Sequence, residues 1–270
     1  MAIIDRGWYT APSGRTVDIA GDLVRCVRDT VLYTPADLEG PAAAGPSRDG
    51  GGAAVRTRIE VTAETTLTAA WRLSGDGEVP LALNFASAKN PGGGFLNGAQ
   101  AQEEGLARSS GLYASLRAQR GFYDFHRQQR DLLYSDHMIY SPAVPVFRTD
   151  AGRLLEEPYP VAFLTSVAPN RGAIREPEKA ARIPAVLAER SRKVLAVAAL
   201  HGHRRLVLGA WGCGVFRNDP REVAAAFAAH LGPGGAWENV FEHVVFAVYD
   251  NAKDAPRLTA FEEVFADLTA

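Results

Sequence analysis

The sequence predicts an α/β protein built on a mixed, largely covered sheet between helical layers. Segments 161–167 (VAFLTSV) and 205–209 (RLVLG) are almost uninterrupted apolar runs, the pattern of strands buried on both faces. Segments of helical periodicity stand between such runs, as a layered sheet requires. Two strands, ending near residues 85 and 208, run straight into glycine-rich turns. Ligands in sheets of this kind bind at the carboxyl ends of strands, so those turns are the first places to look for chemistry.

Residues 39–54 are rich in Gly, Pro and Ala and too poor in large apolar side chains to pack, so they are expected to form a loop. The segment before them is short, and the chain is expected to be one structural unit: an extension (1–56) packed on a core (57–270). In the core, 58–62 alternates as a strand does. Thr62 is a candidate cap for a helix running to about Leu73, with Thr65 completing a partial capping pattern. A buried strand is expected at 79–85, and one helix from Gln102 to about Arg120. Short strands follow at 138–140 and 144–147, Pro145 placing the second at an edge. After strand 161–167 come a long helix (177–201), strand 205–209, a helix from Pro220 to Leu231, strand 241–249 and a terminal helix (261–268). No internal repeat is apparent.

The chain has 270 residues, 47% of them hydrophobic and 22% charged, which fits a globular protein with a full core. A net charge of −2 argues against a protein that coats a nucleic-acid backbone, though not against a small phosphate-bearing ligand held by backbone amides. Two cysteines, Cys26 and Cys213, are too few for a disulfide framework and wrongly spaced for zinc. The first residues lack the pattern of a signal peptide, and apolar runs such as 193–200 fall far short of the roughly 18–20 residues that span a bilayer. The expectation is a monomeric cytoplasmic protein with no cofactor or bound metal.

The stretch from Asn84 to Glu104, NFASAKNPGGGFLNGAQAQEE, is the most informative. Gly92, Gly93 and Gly94 remove every Cβ from a loop, so its backbone is able to press against a ligand and aim N–H groups at it. Neither common nucleotide loop fits. No Lys follows a second glycine as a Walker loop requires, and Asn97 stands where a Rossmann fingerprint needs Gly. A plain flexible loop remains an alternative. Gln102, Glu103 and Glu104 then open a helix, where acidic side chains also serve as simple N-terminal caps. Neighbouring helical residues point about 100° apart, so the two carboxylates are not expected to face one atom, and separate roles follow.

The triple glycine, seven residues and then Gln-Glu-Glu resembles the signature of poly(ADP-ribose) glycohydrolases, and the flank from Asn84 to Pro91 resembles the bacterial branch. The resemblance implies a macrodomain fold, three α/β/α layers with an N-terminal extension, covering most of the chain. It implies cleavage of the bond joining C1″ of one ribose to the 2′ oxygen of the preceding unit, through an oxocarbenium-like transition state. Glu104 would protonate the leaving oxygen and, once anionic, activate water. Glu103 would accept hydrogen bonds from ribose hydroxyls, Asn90 would help hold the same ribose, and Gln102 would belong to the binding set. A helix N-terminus disfavours a protonated acid by about 0.3–1 kcal/mol. Burial, the Glu103 charge and the ligand diphosphate are expected to outweigh that at Glu104.

A second turn, LGAWGCGVFRN at 208–218, looks like the macrodomain loop that wraps the other side of the diphosphate. Gly209, Gly212 and Gly214 open its backbone, Cys213 and Val215 lie within it, and Phe216 matches the aromatic residue that packs against the ribose. Cys213 lacks a local histidine partner and reads as small-residue packing rather than a nucleophile. His201 and His203, two apart, do not share a helical face as a metal pair would. The implied partners are poly(ADP-ribose), ADP-ribose and ADP-ribosylated proteins, with no direct contact to DNA or membrane. Two other readings stay open: a module that binds ADP-ribose without cutting it, and a hydrolase that removes single ADP-ribose units.

Overall fold

The computed structural model describes residues 2–40 and 56–269, so most of the loop predicted at 39–54 lies outside the described residues. Seven strands form the main sheet: β3 (Val31–Tyr33), β4 (Arg58–Thr62), β5 (Leu81–Phe85), β6 (Met138–Arg148), β7 (Leu154–Ser166), β8 (Arg205–Leu208) and β9 (His243–Ala247). Their order is β3-β6-β7-β5-β8-β9-β4. From β7 to β4 all neighbours are parallel, while β6 runs antiparallel to both β3 and β7. The sheet is mixed, as predicted.

Alternation along β5 shows why both faces must be covered. Leu81 and Leu83 point into one core with Val194 of α8 (Ile183–Leu200), Phe227 of α9 (Pro220–Leu231) and Phe261 of α10 (Pro256–Phe265). Ala82, between them, points into the other, with Leu67 of α3 (Thr66–Leu73), Leu106 of α4 (Gln102–Ser109), Leu112 of α5 (Leu112–Ala118) and Phe122 of α6 (Arg120–Gln128). A side chain such as Phe227, fully buried, contributes roughly 1.5–3 kcal/mol relative to exposure. The N-terminal residues supply α1 (Ala2–Arg6), a hairpin of β1 (Trp8–Thr10) and β2 (Thr16–Asp18), and α2 (Ala20–Arg28). Tyr9, Val17 and Leu23 pack there against Phe147 of β6, while β3 pairs Val31 with Tyr140 and joins the sheet itself.

Several predicted elements differ in detail. The helix expected over 102–120 is broken, because Ser110 turns extended (φ −143°, ψ 177°) to bridge Val146 and Gly111 donates its N–H to Pro145 O at 2.9 Å. Those contacts cover the half of β6 that β3 does not reach. Strands 138–140 and 144–147 are one strand, β6, with a register shift between Ser141 and Val144. The long helix at 177–201 is split into α7 (Pro177–Ala180) and α8, since Pro184 has no N–H for an interior turn and fits only a first turn. Thr65, not Thr62, caps α3 by accepting the Thr68 N–H. The last helix starts earlier, at Pro256. Among the described residues no helix is long and apolar enough to cross a membrane.

Candidate active site

Both glycine turns leave parallel strands at their carboxyl ends and border one cleft of about 880 Å³, a volume suited to a small ligand. The first turn follows β5 and ends at α4. Gly92 and Gly93 have φ of +67° and +62°, a region bulky residues avoid. A Cβ on Gly93 would collide with Glu104 Oε1 and lie 3.2 Å from Glu103 Oε2. The two carboxylates therefore approach the same glycine, contrary to the expectation from their angular spacing. The loop reaches up to meet both.

The N–H groups of this turn serve the protein's own acids. Gly94 donates to Glu104 Oε1 at 2.9 Å, and Ala101 to Glu104 Oε2 at 3.2 Å. The second bond is half of a capping box; Ala101 has no side-chain oxygen to return the other half. Gly92 donates to Glu103, and Gly93 to Asn90 O at 3.0 Å. The pyrophosphate-binding role expected of all three glycines does not fit these bonds, since their N–H groups already hold carboxylates and the turn itself.

Glu103 is only 2% exposed. Burial pushes its carboxyl up to about 8; the Ser87 N–H (2.7 Å) and the Asn84 amide (3.3 Å) act against that shift, and the charge of Glu104 adds to it. Burial, expected to act on Glu104, thus falls on its neighbour, while Glu104 is half-buried. Gln102 borders the cleft, but its amide is bonded to β5 and α3: it accepts the Phe85 N–H and donates to Leu83 O and Thr66 Oγ1. These bonds fix where α4 begins, and with it both glutamates.

The second turn runs from β8 to α9, which Asp219 caps. Gly212 has φ +71°, and a Cβ there would lie 2.5 Å from both Ala168 and Asn218. Asn218 closes the turn by donating its N–H to Gly212 O and its amide to Pro169 O. Among the described residues, the N–H groups of Gly212, Gly214, Val215 and Phe216 donate to no other group of the chain. Such a row of outward donors is a ready anion site. Gly209 has another purpose: a Cβ there would lie 2.5 Å from Ala247 O, so glycine lets β8 and β9 close up.

Of the residues singled out in the sequence, Asn90, Gly93, Gly94, Gln102, Glu103, Glu104, Gly212, Gly214, Val215 and Phe216 border the cleft; Gly92, Gly209 and Cys213 do not. Cys213 packs against the core, and burial pushes its thiol up to about 12. His201 and His203 instead bond the hydroxyls of Tyr33 and Tyr140. Among the described residues no group of three or more His, Cys, Asp or Glu side chains is placed to hold a metal ion. Sequence reasoning missed Ser87, Tyr249 and Arg257 in the cleft. Tyr249 directly follows β9, and the carboxyl-end rule applied to that third strand would have found it. Arg257, on α10, is held by Asp250 at 2.6 Å, a contact no local pattern signals.

Comparison with known proteins gives this cleft a family. A family model described as the catalytic domain of microbial-type PARG matches residues 1–149, a span that contains the first turn but not the second. Crystal structures cover both. That of poly(ADP-ribose) glycohydrolase from Thermomonospora curvata bound to the inhibitor ADP-HPD is 61% identical, with a TM-score of 0.90 over 97% of this chain and 95% of that one. The same enzyme in another structure gives a TM-score of 0.92 at 61% identity, over 98% and 96%. The enzyme from Deinococcus radiodurans in complex with ADP-ribose is 47% identical, with a TM-score of 0.84 over 92% and 98%. No curated protein matches. With the family model covering more than half of its length and relatives far above 30% identity spanning nearly all of it, this chain belongs to the microbial-type poly(ADP-ribose) glycohydrolases.

Proposed function

We propose that Glu104 is the general acid and base of a poly(ADP-ribose) glycohydrolase, with Glu103 beneath it and the second turn on the diphosphate. The chain is a glycosidase acting on poly(ADP-ribose), and the roles of its residues follow from the cleft. The observation that carries them is the meeting of both carboxylates at Gly93, on the cleft that Phe216 also borders. Two carboxyls so close share their protons and titrate as a pair. In the free protein Glu103, the buried member, holds a proton near neutral pH. Glu104, the more open member, delivers a proton to the 2′ oxygen as the bond to C1″ breaks. The carboxylate left behind then takes a proton from the water that attacks C1″, so the pair ends with the proton it started with.

Glu103 and Asn90 orient the terminal ribose from below, and Phe216 backs it. The free N–H groups of Gly212, Gly214, Val215 and Phe216 receive the diphosphate, which removes that task from the first turn. Gln102, Gly92, Gly209 and Cys213 shape the turns rather than touch ligand. The segment up to residue 56 is an extension packed on a core formed by the rest, and the protein works in the cytoplasm as a monomer on polymer carried by modified proteins. The test is release of ADP-ribose from poly(ADP-ribose). Glu104→Gln is expected to lose at least about a hundredfold in turnover, the low end of general acid–base contributions, while still binding ADP-ribose. Turnover retained in that variant would refute the assignment.

A further inference from the structure

Phe216 meets the cleft on one side, and what lies on its other side is unusually well fixed. The ring of Tyr134 packs there, with centroids 5.9 Å apart and planes 36° from parallel. Tyr134 has φ +57°, a left-handed backbone that bulky side chains rarely adopt. Arg217, next to Phe216, has φ +56°. Two non-glycine residues thus hold rare conformations at one contact, and such conformations persist only where the surroundings over-determine them.

The surroundings do so here. Asn170 donates its N–H to Leu132 O at 2.8 Å, and Arg190 donates Nη1 to Leu133 O at 3.1 Å. Asp136, two residues past Tyr134, is bonded by Arg190 Nε and by Lys193 Nζ at 2.7 and 2.6 Å. The side chains of Arg190 and Lys193 are 2% and 6% exposed. Burying two cations is unfavourable unless they are paired and hydrogen-bonded, and here both are committed to one loop. Behind Tyr134 stands His126, its ring 5.9 Å away and held by Phe122 O and Ser135 Oγ. On the near side, Gly172 donates its N–H to Phe216 O at 2.9 Å. Phe216 is gripped by ring and by backbone.

We propose that Tyr134 is a positioning residue of this enzyme, its ring fixing the plane of Phe216 against which the terminal ribose rests. The proposal rests on the role given to Phe216 above. The ring, not the hydroxyl, is the working part, and its effect passes entirely through Phe216.

Tyr134→Asn removes the ring while tolerating the left-handed backbone, so it separates packing from backbone strain. Tyr134→Phe keeps the ring. With poly(ADP-ribose) as substrate, Tyr134→Phe should stay within about twofold of wild type, and Tyr134→Asn should lose about tenfold in kcat with little change in KM, a coupling of the size contacting residues show. In the double variant with Phe216→Ala, the Tyr134→Asn loss should vanish into that of Phe216→Ala. A purely structural role would lower the melting temperature without that non-additivity. Losses that multiply, or wild-type kcat in Tyr134→Asn, would overturn the proposal. Wild-type turnover in Phe216→Ala would remove the reading of Phe216 on which it stands, while leaving the assignment of Glu104 intact.

Discussion

The two glycine turns look alike in sequence and do opposite things. In the first, N–H groups turn inward: Gly92 to Glu103, Gly94 to Glu104 and Gly93 to its own loop. In the second, the N–H groups of Gly212, Gly214, Val215 and Phe216 are left for something outside the chain. Glycine content announces a backbone free to bend. It does not say which way the donors point, and that is decided by the neighbouring side chains. Two carboxylates at the start of α4 claim the first turn, whereas no acid of the chain accepts from the second. The first turn therefore belongs to the chemistry and the second to binding.

Substitutions in each turn should divide along that line. Gly93→Ala places a methyl group where the Glu104 carboxylate sits and strains a residue at φ +62°. It should lower kcat by about a hundredfold, approaching the loss of the acid itself. Gly214→Ala is its control, because a Cβ there meets open space, and it should retain near-normal kcat. If Gly93→Ala instead raised KM at constant kcat, the first turn would be a binding element after all. Val215→Pro deletes one N–H from the second turn at a side chain that is 80% exposed. A hydrogen bond to a charged group is worth about 1.5–3 kcal/mol, so ADP-ribose affinity should fall by roughly ten- to a hundredfold. Calorimetric titration measures it, and unaltered affinity would remove the diphosphate from this turn.

Much of this contrast lay beyond reach of the sequence, for physical reasons. Strands β5 and β8 were legible because buried parallel strands are apolar throughout, and α9 because Asp219 and Pro220 mark a helix start. The break between α4 and α5 was not, since apolar periodicity runs through Ser110 and Gly111, and the interruption comes from β6. Strands β1 and β2 have three residues each, too few to show alternation. Within the site, Glu103 and Glu104 could be named from their pattern. Which one is buried depends on Asn84 and Ser87, brought close by the sheet, and no spacing rule contains that.

The burial of Glu103 has a smaller consequence that heat and pH reveal. An unfolded glutamate releases its proton near pH 4.3, and the folded one near 8. Below the first value both states hold the proton and the group is neutral toward stability. Between the two, the native chain keeps a proton the unfolded chain has lost, so stability declines as pH rises, with the full loss reached above about 8. The melting temperature of wild type should thus fall more steeply between pH 5 and pH 8.5 than that of Glu103→Gln. For a chain of this size roughly 2–4 °C corresponds to each kcal/mol, so a gap of several degrees is expected. Parallel curves would mean that Glu103 is ionised in the fold like any surface acid, and the proton-sharing pair at Gly93 would lose its basis.

The smallest effect is expected at the residue that most tempts a chemist. Cys213 sits in the middle of the second turn, yet its Sγ faces Trp211 O at 3.8 Å and the core rather than the cleft. Burial pushes the thiol up to about 12, so at neutral pH almost none is thiolate, the form that reacts. Cys213→Ala should leave kcat and KM within about twofold, since only a small buried group is trimmed. Iodoacetamide should spare the activity too, because Cys26 is also buried. A large fall in kcat in Cys213→Ala, with ADP-ribose still bound, would place chemistry in the turn assigned to binding and undo the division drawn between the two.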